Sequence, residues 1–181
     1  MSRRNVWIRS LRWAALAAVV WFAGVLVWGQ SASPARAEES VPFDIPEYEP
    51  QNKAQLRRSL TGIQYKVTQQ EGTEPAFRNL YWDNKKEGLY RCVVCEYPLF
   101  TSQTKFKSGT GWPSFYAPLS EKMVGTKRDW KMLYPRTEVH CARCKAHLGH
   151  VFNDGPRPTG KRYCMNSASL KFEETELPTQ P

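Results

Sequence analysis

Most of the reactive chemistry in this chain rests on five cysteines and three histidines. The cysteines fall as Cys92-x-x-Cys95, Cys141-x-x-Cys144 and a solitary Cys164. A C-x-x-C turn presents two thiolates, and two such turns complete the closed four-sulfur shell of a structural zinc. The 45 residues between the pairs mean that such an ion would tie two distant hairpins together, with no coordination position left open for a substrate. Two disulfides, or a dithiol redox site, are the other readings of the same spacing.

Cys164 lies in a β-prone segment, where alternate side chains share a face. Arg162, Cys164 and Asn166 then point one way, and Tyr163 and Met165 the other, toward packing. A thiol between a cation and an amide is a reactive-cysteine pattern, because positive charge favours the thiolate; a buried, inert cysteine is the plainer reading. His147 and His150, three residues apart, can relay protons near neutral pH, ligate a metal, or serve as satisfied polar groups. The turn-forming segment 109–115 (GTGWPSF) sets Trp112 either as the wall of a pocket for a methyl or thioether group or as ordinary core.

The elements that must carry these groups are short. Leu56, Leu60, Ile63 and Val67 recur at threes and fours, which predicts one short helix within residues 51–70. Runs such as Gly88–Val94, Val139–Ala142 and Arg162–Asn166 are separated by Gly, Pro, Asn and Asp and predict strands, so the expected fold is an all-β domain with a small N-terminal helix. Pro42, Pro46 and Pro50 punctuate a polar stretch that reads as an extended linker over 38–50, and the end of the chain, 174–181, reads as a flexible tail.

The N-terminus has the layout of an export signal: basic Arg3 to Arg12, an uncharged run of 16 residues from Trp13 to Trp28, and small residues ending at Ala37, after which cleavage is predicted. An uncleaved membrane anchor through residues 13–28 is the alternative. The pair Arg3-Arg4 also resembles a twin-arginine signal, which would export the domain already folded and metallated. Five arginines (Arg3, Arg4, Arg9, Arg12, Arg36) precede the first acidic residue, Glu38, so loss of residues 1–37 takes the formal charge from +9 to +4. That residue of charge, without a Lys/Arg run, argues against a nucleic-acid partner.

Taken together, the segments YRCVVC (90–95), SGTGWPSF (108–115), CARC (141–144), HLGHVFNDGP (147–156) and RYCMNSASL (162–170) resemble the methionine-R-sulfoxide reductase B family over residues 51–173, in the family's order. The resemblance implies two packed antiparallel sheets, with Cys92, Cys95, Cys141 and Cys144 holding one structural zinc per chain away from the active site. It implies that Cys164 is the nucleophile and that His147, His150 and Asn166 surround the sulfoxide and assist its reduction. Trp112 would contact the substrate methyl, and Asp154 and Arg162 would be the supporting charged groups. The implied enzyme is a peptide-methionine (R)-S-oxide reductase that leaves a sulfenic acid on Cys164, and the export signal adds the expectation that it repairs oxidised proteins in the periplasm or another extracytoplasmic space.

The chain departs from one common family pattern. Many members carry a resolving cysteine just before the GWPSF segment, where this chain has Thr110. With four cysteines on zinc no spare thiol remains, so a one-cysteine cycle is expected, reduced by an external thiol or a thioredoxin-like partner, in a protein expected to be a monomer. The rival readings are a zinc-stapled protein- or nucleic-acid-binding module with an inert Cys164, and a zinc hydrolase using His147 and His150 as ligands with one position open.

Overall fold

The computed structural model describes residues 42–130 and 134–178. The export signal or anchor expected over 1–37 lies outside the described residues, and among those described no helix is long and apolar enough to cross a membrane.

Two short helices stand where the periodicity predicts one: α1 (Lys53–Ser59) and α2 (Gly62–Gln70). The break is chemical. Asn52 with Gln55, and Thr61 with Gln64, each form a capping box in which side chain and backbone N–H groups satisfy one another, so a second helix starts before the first could continue. Leu60 between them is extended, the helical phase resets, and Ile63 is left 42% exposed while Val67 is fully buried.

Everything after α2 is strand and turn: β1 (Gly88–Cys92), β2 (Pro98–Thr101), β3 (Lys105–Phe106), β4 (Ser114–Phe115), β5 (Val124–Asp129), β6 (Arg136–Cys141), β7 (His147–Phe152), β8 (Arg162–Met165) and β9 (Leu170–Glu174). They form two antiparallel sheets, one ordered β2-β1-β9 and the other β3-β4-β8-β7-β6-β5. An aromatic seam joins the sheets. Tyr90 and Phe100 of the smaller sheet meet Phe115 of the larger at ring-centroid distances of 5.0 and 4.5 Å, and Tyr163 packs 5.8 Å from Phe100. Leu99, Val139, Leu148 and Met165 fill the space around them, each fully buried, a burial that contributes roughly 1.5–3 kcal/mol per side chain.

The second joint is sulfur. Cys92 ends β1 and Cys141 ends β6, and each begins a turn of the same form: the N–H of Glu96 donates to Cys92 O at 2.9 Å, and that of Lys145 to Cys141 O at 3.0 Å. Glu96 and Lys145 both adopt left-handed φ, 56° and 63°, which curls each turn inward. The four sulfurs end within 4.8 Å of one another, with Cys92–Cys144 and Cys95–Cys141 each at 3.6 Å.

The stretch 42–50, read from sequence as a linker, runs extended across these turns. Arg91 donates to the carbonyl of Asp44 at 2.9 Å, Arg143 to that of Pro46 at 2.7 Å, and Tyr48 packs on the core. At the other end Leu177 N–H donates to Glu87, just before β1, and Gln103, just after β2, donates to the carbonyl of Pro178, so the described part of the tail is pinned beside the smaller sheet.

Because the sulfur cluster joins the two sheets, Cys141→Ser is expected to lower stability by about 3 kcal/mol or more, on the order of 10 °C in melting temperature for a domain of this size. Parallel thermal melts and elemental analysis check this: unchanged melting in a metal-free variant would show that the cluster carries no structural load.

Candidate functional site

The sulfur quartet fits a tetrahedral metal. A zinc–sulfur distance of about 2.3 Å gives tetrahedron edges of about 3.8 Å, close to the 3.6 Å pairs found here. A disulfide needs about 2.05 Å, and all five cysteines are free, so the disulfide reading fails. Among the described residues this is the one cluster able to hold a metal, and neither His147 nor His150 belongs to it. The four cysteines are thus arranged for a structural zinc, which would bind by sulfur alone and brace the turns without touching a substrate.

The second candidate constellation lies elsewhere, on the large sheet. Cys164 in β8 pairs in register with Ser114 on β4 and with His150 on β7, so three polar side chains stand in a row across three strands. The β7–β8 approach demands glycine: a Cβ on Gly149 would lie 2.1 Å from the carbonyl oxygen of Cys164. Tyr163 and Met165 turn into the core, while Arg162 and Cys164 stay half-buried on the opposite face.

His147 and His150 would lie on opposite faces of a regular strand at a spacing of three. A β-bulge shifts the β6–β7 register between Val139 and His140, and the two imidazoles end with centroids 5.4 Å apart. His147 is 2% exposed, with Nδ1 3.1 Å from a carboxylate oxygen of Glu138, and it sits behind His150. Glu138 continues outward through Lys127 to Glu71 at the surface.

A cavity of about 120 Å³ opens beside Cys164, lined by Thr73, Trp112, Arg136, Gly149, His150, Phe152, Cys164, Met165 and Asn166. The structure therefore brings Cys164, His150, Asn166 and Trp112 to one hollow, sets His147 one ring behind it, and leaves Arg162 and Asp154 outside the lining residues as a two-bond ion pair at 2.8 and 2.9 Å. Arg162 also lies over the ring of Phe152, 4.4 Å from its centroid.

Glu74 organises the far wall. Its carboxylate accepts from the N–H groups of Ser167 and Ala168, at the start of the turn Ser167–Ser169; its own N–H donates to Asn166, and its carbonyl accepts from Trp112 Nε1 at 3.1 Å. Asn166 also donates to Leu148 O at 3.0 Å. Gly111, at φ +86°, turns the chain just before Trp112 where a Cβ would strike Phe77. The main chain of Glu74 thus holds both the amide and the indole of the cavity, while its buried carboxylate anchors the turn that follows Asn166.

The electrostatics differ from the sequence expectation in one respect. Burial pushes the Cys164 thiol above the ordinary range; the Thr110 hydroxyl, 3.8 Å from Sγ, the Arg162 charge and Ser114 pull it down by less. His150 is pushed the other way, downward, again chiefly by burial, with Asp129 opposing. At neutral pH the resting pair is thiol and neutral imidazole. Several groups of this site were not singled out from sequence: Asp129, Arg136, Glu138 and Glu74 sit in segments without a motif, and only pairing across the sheet or a clamp from the loop after α2 brings them in.

Comparison with known proteins gives a single picture. Residues 60–174 match the model described as SelR domain. A rice protein named peptide methionine sulfoxide reductase B1, chloroplastic, is 60% identical over 121 residues, 66% of this chain and 56% of that protein. Its Arabidopsis thaliana namesake is 50% identical over 149 residues, 82% of this chain and 73% of its own length. An Escherichia coli protein named peptide methionine sulfoxide reductase MsrB is 52% identical over 122 residues, covering 67% of this chain and 89% of its own.

Alkylation of Cys164 followed by mass spectrometry across pH is expected to show a midpoint above the ordinary cysteine range. Arg162→Gln removes a charge that favours the thiolate and should move the midpoint higher still; no movement would mean that Arg162 does not act on the thiol.

Proposed function

The chain belongs to the SelR-domain family, and from that premise we propose that it reduces the R epimer of peptide-bound methionine sulfoxide, with Cys164 as nucleophile. The observation that carries the proposal is a solitary thiol at the mouth of a small hollow walled by an indole, an imidazole and an amide. Trp112 and Phe152 offer apolar surface to the methyl and thioether carbons, and His150 and Asn166 offer polar contact to the oxygen.

The step balances without an outside proton. Sγ of Cys164 attacks at the sulfoxide, the oxygen–methionine sulfur bond breaks and an oxygen–Sγ bond forms. Methionine sulfur gains the electron pair that Sγ loses, and the thiol proton ends on the sulfenic oxygen. A thiol that is protonated at rest therefore brings the proton it needs, while His150, with His147 and Glu138 behind it, can hold that proton in transit. Arg162, kept in place by Asp154, steadies the developing thiolate.

Regeneration follows from the absence of a second thiol at Thr110, whose hydroxyl occupies the place beside Sγ. An external thiol attacks the sulfenic acid, water leaves, and a second thiol resolves the mixed disulfide. The reductant is a small thiol or a thioredoxin-like protein, and the substrates are oxidised proteins, which makes this a repair oxidoreductase under oxidative stress. Export after loss of residues 1–37 places that repair outside the cytoplasm, the working domain spanning 51–173; the plastid names of two relatives are in keeping with an N-terminal targeting segment.

Two measurements test this reading. Residues 38–181 are expected to turn over only the R epimer of a methionine sulfoxide peptide with dithiothreitol, and Cys164→Ser to lose at least about 1,000-fold in rate. Equal reduction of both epimers, or activity in the serine variant, would refute it. Mass mapping of the enzyme after one turnover without reductant should find Cys164 as a sulfenic acid; a disulfide from Cys164 to any other cysteine of the chain would sink the one-cysteine cycle.

A further inference from the structure

The cation lining the cavity is not Arg162 but Arg136, and the residue joining it to the pocket imidazole is Asp129. The two are cross-strand partners, Asp129 the last residue of β5 and Arg136 the first of β6, so the pairing that ends the hairpin also sets them side by side. A single oxygen of Asp129, Oδ2, lies 2.7 Å from Nη2 of Arg136 and 2.8 Å from Nε2 of His150. The carboxylate is 8% exposed, so this sharing takes place largely out of water, where a charge-assisted hydrogen bond is at its strongest.

We propose that Asp129 is the positioning residue of His150 and that Arg136 is the cation the sulfoxide oxygen meets as its charge grows; this rests on the reductase reading above. An ionised carboxylate only accepts hydrogen bonds, so Nε2 of His150 carries the hydrogen and Nδ1 is the nitrogen left for a ligand. The ring is held in one tautomer and one plane. Arg136 is held by its bond to Asp129, which uses one of its five N–H donors; its Nε is buried with no hydrogen-bond partner. The guanidinium thus keeps unused donors at a cavity wall, the arrangement that stabilises a developing oxyanion without reorganisation. The groups facing His150 are Asp129 and Arg136 from the β5–β6 pair, Glu138 opposite it in register, His147 on its own strand and Cys164 on β8. Of these, Asp129 alone has a hydrogen-bond contact to the ring.

Histidine ¹⁵N spectra of the zinc-loaded wild type near pH 8 report the tautomer directly, with no variant and no substrate. A His150 ring protonated at Nε2 is expected, and one protonated at Nδ1 overturns the positioning role. In Asp129→Asn, compared by zinc content and melting, the single tautomer should give way to a mixture, with kcat down about 10–100-fold and KM changed less than about threefold. Arg136→Met should lower kcat by about 100-fold, and Arg136→Lys should recover part of that loss by restoring a cation. Full activity in Arg136→Met, or an unaltered tautomer with full activity in Asp129→Asn, overturns the proposal. Loss of all R-sulfoxide turnover in the wild type would instead strike the reductase reading, with the tautomer still testing how Asp129 holds the ring.

Discussion

The close approach of β7 to β8 at Gly149 sets where every reactive group can stand. Cross-strand partners in an antiparallel pair point to the same face, so once Cys164 lies opposite His150 the thiol and the imidazole must share a side of the sheet. Extending the same row gives Ser114 on one flank and Glu138 on the other. A side chain at residue 149 would push the strands apart at the carbonyl of Cys164 itself and tilt the thiol away from its partners. The geometry of the site is in this sense a consequence of backbone packing, and the side chains inherit it.

Holding the opposite face dry is the work of the smaller sheet. Tyr90 and Phe100 press against Phe115 and Tyr163, which are the immediate neighbours of Ser114 and Cys164 in sequence, so packing on one side locks the rotamers of the strands that present chemistry on the other. The sulfur cluster sits at the ends of β1 and β6 and shares no residue with the lining of the hollow, which keeps the staple apart from the candidate site. A domain with a modest core can then spend its reactive face on polar residues.

Much of this was legible in the sequence, and the reasons for success and failure differ residue by residue. Paired C-x-x-C turns announce their geometry through spacing, and the alternation around Cys164 separates Arg162 from Tyr163. The capping boxes at Asn52 and Thr61 were equally readable, and they outweigh the apolar spacing that suggested a single helix. What spacing could not disclose was the bulge that turns His147 toward His150, because a register shift depends on the neighbouring strand. Nor could it disclose Asp129, Arg136 and Glu74, each of which matters only through a partner brought close by pairing or by the loop after α2.

Burial and reactivity pull in opposite directions at this site, and the balance explains its resting state. Enclosure raises the Cys164 thiol and lowers His150, so each effect favours the uncharged form. For the nucleophile proposed here this looks unfavourable, yet in the proposed step the sulfoxide has to receive a proton in the same event. A site that kept an ion pair of thiolate and imidazolium would invite oxidation and alkylation by any passing electrophile. In the proposed reaction a neutral site becomes reactive only when a sulfoxide oxygen arrives to take the proton, and Arg162, Thr110 and Ser114 are close enough to Sγ to lower the cost of that transfer. On that proposal, selectivity for the substrate comes in part from holding the thiol back until its acceptor is present.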